Sequence, residues 1–327
     1  MRALRFETTG GLDKLAVVEQ PRPVPGPREV LVRIEAGALN KSDLSNVGGR
    51  FPYTTVPRTP GRDFSGVVVE GPPELVGKAV FGTGREIGFT RDGTHAEYIA
   101  VPAEGVVIKP SALSHAQAAS CGVPFLTALP MLDQCQVRRG TKLIVIGAAG
   151  GVGIATIHLA RRRGAEVLAA VRRPAQAAGL KARGFATLLL DESRPLADQV
   201  RTHFPDGADV VFDTAGPWLG QSIAALGRYG RTAVIVVPPA DGHLNLPIRD
   251  LYRRGGSIVG VNSLLYSAAE SATMLNAVVG GFDDGSLIAP DDIRAFPLEC
   301  AIDAYHALAA GEFGKFVVEP SHRPESP

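Results

Sequence analysis

The sequence predicts an α/β protein in which a six-stranded, doubly wound parallel sheet accompanies a mainly antiparallel β-barrel. Three observations carry this. Six short apolar, β-branched runs lie at 142–146, 166–171, 187–190, 209–212, 232–237 and 257–261, separated by intervals long enough for helices. Ahead of them, residues 30–101 hold strand-like runs closely punctuated by Gly and Pro. Finally, Gly and Pro supply 38 and 25 of the 327 residues while hydrophobic residues remain at 45%, so turns are plentiful and a core is still available.

In the first third, 30–35, 64–70, 78–81 and 94–101 read as strands, with turn clusters at 21–27, 48–49, 57–61 and 71–73. Short strands at this spacing suit a small barrel. From about residue 119 the rhythm changes to strands alternating with helices, and 152–163 has the helical apolar period with Ile154, Ile157 and Leu159 inward. That alternation implies a parallel sheet covered on both faces. After 264 come a helical stretch (268–280), an extended piece around Phe296, a helix (300–310) and a strand (315–319). This tail is too short for its own core and is expected to return to the first domain. The expected division is therefore 1–118, 119–263 and a returning segment 264–327, with 321–327 read as a frayed end.

Thirty-four basic against 33 acidic side chains leave a net charge of +1, which gives no global reason to bind nucleic acid or an anionic membrane. Cys121, Cys135 and Cys300 are odd in number and scattered, which fits a reducing compartment better than a disulfide framework. The first residues lack the apolar core of a signal peptide, and the longest apolar run, 143–157, is interrupted by glycines. The expectation is a soluble, cytoplasmic protein.

The most informative motif is the run from Lys142 to Gly153. A buried strand enters a glycine-rich turn, and a helix opens immediately. Glycines there permit positive φ and let the backbone approach a pyrophosphate whose charge faces the helix N-terminus. With five further strand–helix units around it, the motif reads as a dinucleotide site; the competing reading is a tight turn serving helix–sheet packing only. No Gly-Lys-Ser/Thr follows, which excludes a kinase-type phosphate loop. Gly147, Ala149, Gly150, Gly151, Val152 and Gly153 are the candidate contacts. At the end of the next strand, an acidic residue would bind the ribose 2′-hydroxyl of NAD. Here stand Arg172 and Arg173, whose guanidinium groups suit a 2′-phosphate, so the expected cofactor is NADPH. The alternative for this pair is a solvated basic turn like Arg161-Arg162-Arg163.

Taken with the segments 37–43, 60–66, 93–98 and 209–216, this motif makes the chain resemble the medium-chain dehydrogenase/reductase superfamily, in its zinc-free quinone oxidoreductase branch. The resemblance covers nearly the whole length. It implies a Rossmann domain, a GroES-like barrel, and no metal. Where zinc enzymes of the superfamily carry ligands, this chain has Asn40, Arg62 with Asp63, and Val123, and Cys121 reads as a buried small hydrophobe. No four-cysteine lobe is present; His95 and His158 read as packing or surface residues. Without a Lewis acid, hydride transfer is easier to an already activated acceptor, a quinone or an enone.

The resemblance also implies site residues. Asn40 falls beside the nicotinamide and substrate, acting either catalytically or as a turn-stabilising amide. Tyr53 is either a hydrogen-bond donor to the substrate oxygen or a packing residue. Arg62 is either structural, paired with Asp63, or an attractor of anionic substrate; Lys41 reads as solvated and Asp43 as structural. Thr127, Val237, Asn262 with Ser263, and Lys315 fall where relatives approach the cofactor. Gln176 and Asp191 depart from the residues many relatives carry around the adenosine half. The expected function is NADPH-dependent, zinc-independent reduction of a small-molecule quinone or α,β-unsaturated carbonyl by a homodimer paired through 257–261. The alternatives are a non-catalytic NADPH-binding protein with a structural or sensing role, and an enoyl-thioester reductase.

Overall fold

The computed structural model describes residues 1–236 and 242–320. Two compact units divide the chain, one formed by Met1–Leu126 with the segment from Ser263 on, the other by Thr127–Asn262.

The first unit opens with an antiparallel pair, β1 (Arg2–Phe6) and β2 (Leu15–Glu19), which the strand pattern did not announce. Then follow β3 (Glu29–Ala38), α1 (Lys41–Val47), β4 (Asp63–Glu70), β5 (Ala79–Gly82), β6 (Tyr98–Pro102), β7 (Val107–Ile108) and α2 (His115–Ala119), while α3 (Gly122–Gln134) starts in the first unit and ends in the second. β3 is long enough to pair with both β4 and β6, and β4 continues through β5 to β7. Register shifts at Leu31/Val32 and Ile34/Ala36 mark where β3 bends against β4. The inward row of Val30, Val32, Ile34, Phe64, Val80 and Ile99 forms this barrel's core. Full burial of each such side chain contributes about 1.5–3 kcal/mol.

The second unit alternates strand and helix: β8 (Lys142–Ile146), α4 (Gly151–Arg162), β9 (Glu166–Val171), α5 (Pro174–Ala182), β10 (Ala186–Leu189), α6 (Leu196–Arg201), β11 (Ala208–Asp213), α7 (Leu219–Ala225), β12 (Leu226–Val234), α8 (Ile248–Arg254) and β13 (Ser257–Gly260). All pairings are parallel and the order is β10-β9-β8-β11-β12-β13. The strand order thus reverses between β8 and β11, the switch point at which open α/β sheets bind ligands. All six expected strands are present. β12 begins at Leu226 rather than 232, and Val237 lies outside the described residues, as do 321–327.

The returning segment carries α9 (Ala268–Asn276), α10 (Gly280–Asp283), β14 (Ile293–Pro297), α11 (Ala301–Ala309) and β15 (Lys315–Glu319). β15 pairs antiparallel with β3 at Val317–Ala38 and Val318–Gly37, and parallel with β14. Ala301, Ala304 and the fully buried Tyr305 of α11 pack with Leu4, Phe6, Leu39 and Phe316. Among the described residues, no helix is long and apolar enough to cross a membrane.

Candidate active site

The nucleotide loop follows from three local requirements. β8 buries Leu143, Ile144 and Val145 completely, which fixes its carboxyl end at the switch point. Gly147 turns the chain with φ of 76°, and a Cβ there would strike Thr214 Oγ, whose hydroxyl donates to Ile146 O at 2.9 Å. Gly150 closes the turn onto Gly147 O at 2.9 Å and caps α4 without a side chain to fill the helix end. The first-turn N–H groups of Gly151, Val152 and Gly153 therefore face outward with the positive end of the helix dipole. At Gly153 the helix crosses the strand end, where a Cβ would meet the Gly147 carbonyl oxygen and lie 2.6 Å from Ala148 Cα. Ala149 is half-buried within the turn. This cradle of outward backbone donors fits a pyrophosphate.

β9 is the sheet neighbour of β8, so the residues after β9 border the same edge. Arg172 and Arg173 are exposed there, Arg173 at the N-cap of α5 ahead of Pro174. Arg172 Nη1 lies 3.5 Å from Glu192 Oε1, with both side chains more than 60% exposed (63% and 71%). Such a surface pair holds the guanidinium loosely. Asp191 instead accepts from the backbone and hydroxyl of Ser193 at 2.9 and 2.6 Å, which holds its carboxyl below the usual range. Thr127 is buried, and Asn262 is exposed two residues beyond β13.

One residue of this unit was missed as a contributor. Asp213 at the end of β11 accepts from the N–H groups of Ala215, Gly216 and Trp218 at 3.0, 2.9 and 2.7 Å, fixing the turn that carries Thr214 against the glycine loop. An Asp-Thr-Ala-Gly run after an apolar strand is the turn signal that announces it.

In the first unit, residues named separately in the sequence meet in one polar cluster. Asn40 sits at the N-cap of α1, where its N–H donates to Asp43 Oδ2 at 2.7 Å. Its side chain donates from Nδ2 to Asp63 Oδ2 at 2.9 Å and accepts at Oδ1 from Lys315 Nζ at 2.8 Å. Asp63 is held by the Val123 N–H at 2.9 and 3.0 Å. Burial and the neighbouring Asp63 charge raise the Asp43 carboxyl to about 7, while burial lowers the Lys315 ammonium below the usual lysine range. Behind them, His95 Nδ1 lies 3.0 Å from the Tyr305 hydroxyl, and burial drives this histidine down to about 3, so it packs as a neutral ring.

Arg62, with 0% exposure, donates to Gly84 O at 3.3 Å, Ser263 Oγ at 3.2 Å and Ser263 O at 3.4 Å. Asp63 is thus a Coulombic neighbour of Arg62 rather than its hydrogen-bonded partner, which corrects the pairing expected from their adjacency. The guanidinium lies 5.9 Å from the Phe89 ring centre. Tyr53 is 47% exposed and makes tilted ring contacts with Phe51 and Phe89, ring centres 5.8 and 5.7 Å apart, with burial raising its phenol. A separate cleft of about 480 Å³, lined by Gln20, Arg22, Glu29, Arg91, Asp92 and Tyr98 among others, contains none of the expected site residues.

The geometry is matched by kinship. Residues 26–111 match the alcohol dehydrogenase GroES-like domain and 151–279 the zinc-binding dehydrogenase family. A zinc-type alcohol dehydrogenase-like protein of Schizosaccharomyces pombe is 38% identical over 87% of this chain and 86% of its own. Quinone oxidoreductase of Mus musculus is 27% identical over 97% of each chain, and 2-methylene-furan-3-one reductase of Solanum lycopersicum is 30% identical over 98% of this chain and 79% of its own. The chain belongs to the medium-chain dehydrogenase/reductase superfamily, in its quinone oxidoreductase-like branch.

Solved structures of the superfamily superpose over 98% of the chain. They include a quinone oxidoreductase of Pseudomonas syringae pv. Tomato (TM-score 0.85, 26% identity, 99% of its chain) and a mycobacterial protein complexed with NADPH (0.84, 25%, 100%). An NAD-dependent alcohol dehydrogenase matches equally well (0.85, 29%, 99%). As a member of this medium-chain superfamily, the protein is an oxidoreductase built on a pyridine-nucleotide-dependent fold.

The second matched family is named for zinc, but the side chains present do not suit that ion. Arg62 is a cation, and the Val123 side chain carries no donor atom while its backbone N–H is given to Asp63. Cys121 is buried, its thiol donates to Gln117 O at 3.2 Å, and burial pushes it far up, away from the thiolate a metal needs. Among the described residues, no group of three or more His, Cys, Asp or Glu side chains is placed to hold a metal ion.

Proposed function

We propose that this protein is an NADPH-dependent, zinc-independent oxidoreductase that transfers hydride to a quinone or an α,β-unsaturated carbonyl. The observation that carries the reading is the polar cluster around Asn40, Asp63, Arg62 and Lys315. At the positions aligned with the ligands of zinc relatives stand the Asn40 amide and the Arg62 cation, and the Lys315 ammonium bonds to that amide. Without a Lewis acid, a simple alcohol–carbonyl pair lacks its main source of alkoxide stabilisation, whereas a conjugated acceptor spreads charge that an amide or phenol donor supports.

NADPH supplies the hydride when bound. The N–H groups of Gly151, Val152 and Gly153, with Gly147, Ala149 and Gly150 shaping the turn, hold the pyrophosphate, and Arg172 and Arg173 hold the 2′-phosphate. Thr127, Val237 and Asn262 take the nicotinamide half. On the substrate side, Asn40 offers an N–H, while Tyr53 with Phe51 and Phe89 presents an aromatic ledge suited to a planar acceptor. The protein works as a homodimer in this reading, paired through β13.

The test is loss of NADPH absorbance with a panel of small quinones and enones, before and after dialysis against a strong chelator. Oxidation of NADPH with at least one acceptor, unaffected by chelation or added zinc, is expected. No oxidation above background for any acceptor would count against the reductase; tight NADPH binding without turnover would favour a sensing role.

A further inference from the structure

Lys315 opens β15, and its ammonium donates to Leu39 O at 2.8 Å and to Asn40 Oδ1 at 2.8 Å. The far end of the same amide donates to Asp63 Oδ2, and the Val123 N–H, shared between Oδ1 and Oδ2, holds that carboxylate in place. Asn40 is also anchored through its backbone N–H to the buried Asp43. An ammonium only donates and an ionised carboxylate only accepts. Rotating the amide by half a turn would set an NH2 group against the ammonium and an oxygen against the carboxylate. The lysine and the aspartate therefore dictate a single amide orientation from opposite ends. That orientation commits one of the two Nδ2 hydrogens to Asp63 and leaves the second for another acceptor.

We propose that Lys315 is a positioning residue: with Asp63 it locks the Asn40 amide so that its second Nδ2–H is presented to the oxygen of a bound quinone or enone. This rests on the reductase reading above. Hydride from NADPH forms a bond to the β-carbon of an enone or to the quinone ring system. The displaced π pair moves onto the conjugated oxygen, which accepts the Asn40 N–H, and a solvent proton completes the reduction. Lys315 touches neither the substrate nor the reacting atoms. Its ammonium draws electron density through the amide oxygen and makes the opposite N–H a better donor.

Two measurements on the intact 327-residue chain test this. In protein labelled with ¹⁵N at asparagine, Asn40→Ala identifies the Asn40 side-chain signals. Lys315→Met is expected to move that pair while leaving the pair of Asn46, which bonds to Gly88 O, in place. In turnover, Lys315→Met is expected to lower kcat about 10-fold, a fraction of what loss of a whole oxyanion donor costs, with the NADPH Kd within about twofold of wild type. In an Asn40→Ala background the same change should cost less than about twofold further, because the lock then has nothing to hold. Unmoved Asn40 signals, additive losses in the double variant, or an NADPH Kd that rises in proportion to the lost activity would overturn the proposal, the last by assigning Lys315 to the cofactor. If the wild-type protein reduces no acceptor, the reductase reading falls and the donor role with it. The amide signals then still accept or reject the lock.

Discussion

At Arg62 a guanidinium is removed from water entirely, which costs several kcal/mol unless the surroundings compensate. Burial lowers its hold on the proton, and the charges of Asp63 and Asp43 oppose that loss. Three donations to Gly84 and Ser263 spend the fork on the first unit's own backbone and hydroxyl. That favours the structural alternative left open by the sequence. The exposed pair Arg172 and Arg173 is the contrasting case, since among the described residues the weak contact of Arg172 with Glu192 is the ion pair that competes for it. A charge-assisted hydrogen bond is worth about 1.5–3 kcal/mol, and solvent screening at so exposed a site leaves the two arginines worth about that much together. Replacing both arginines by alanine is therefore expected to raise KM for NADPH by about 10-fold to 100-fold and to leave KM for NADH within about twofold. Steady-state kinetics with the two cofactors decides it, and equal losses for both would remove the 2′-phosphate assignment. Arg172 and Arg173 were legible because a strand end and a charge pair are local signals. The bond between Asn40 and Lys315 joins residues 275 apart, and no local pattern announces such a contact.

Elements were legible to the extent that burial imposed a simple pattern on them. Strands of the parallel sheet are covered on both faces and read as continuous apolar runs, as Leu143 to Ile146 does. β12 was read short because its first half, Leu226-Gly227-Arg228-Tyr229-Gly230, mixes glycine with exposed polar side chains and sets Tyr229 at φ of 58°. β1 was missed because Arg2 and Arg5 interrupt its apolar row while remaining only partly buried. α1 was missed because seven residues beginning Lys41-Ser42-Asp43 resemble a turn, and only the Asn40–Asp43 contact shows the cap. The junction of β8 and α4 is the element whose geometry is most demanding. A Cβ at Gly153 would press on backbone atoms, whereas one at Gly150 would meet nothing nearer than Gly147 O at 3.4 Å. Gly153→Ala is therefore expected to cost about 1–3 kcal/mol through overpacking, lowering Tm by about 2–12 °C, and to weaken NADPH binding. Gly150→Ala should change Tm by less than about 2 °C. Thermal melts with and without NADPH test the contrast, and equal effects at the two positions would mean the close approach of helix and strand is unimportant.

At the scale of the whole molecule, the unfinished edge of the parallel sheet sets the expectation for assembly. β13 closes the strand order on one side. The Val261 N–H donates to Val234 O at 2.9 Å, so by the alternation of a parallel ladder the N–H groups of Ile258 and Gly260 face away from β12. Ile258 is 37% exposed at this edge, and nearby α8 buries none of its residues, leaving Ile248 and Tyr252 exposed. An open strand flanked by apolar side chains is a pairing site, and a two-fold axis lets the same strand of a second copy satisfy it antiparallel. A net charge of +1 adds little repulsion between copies. Light scattering should therefore return twice the chain mass. Ile258→Pro removes an outward N–H without touching the ladder to β12, so it should shift the protein toward single chains while leaving the second unit folded. Circular dichroism on the same sample checks that folding. A wild-type protein that scatters as one chain at working concentration would rule the edge out as an interface, and a variant that stays dimeric would move the interface elsewhere on the surface.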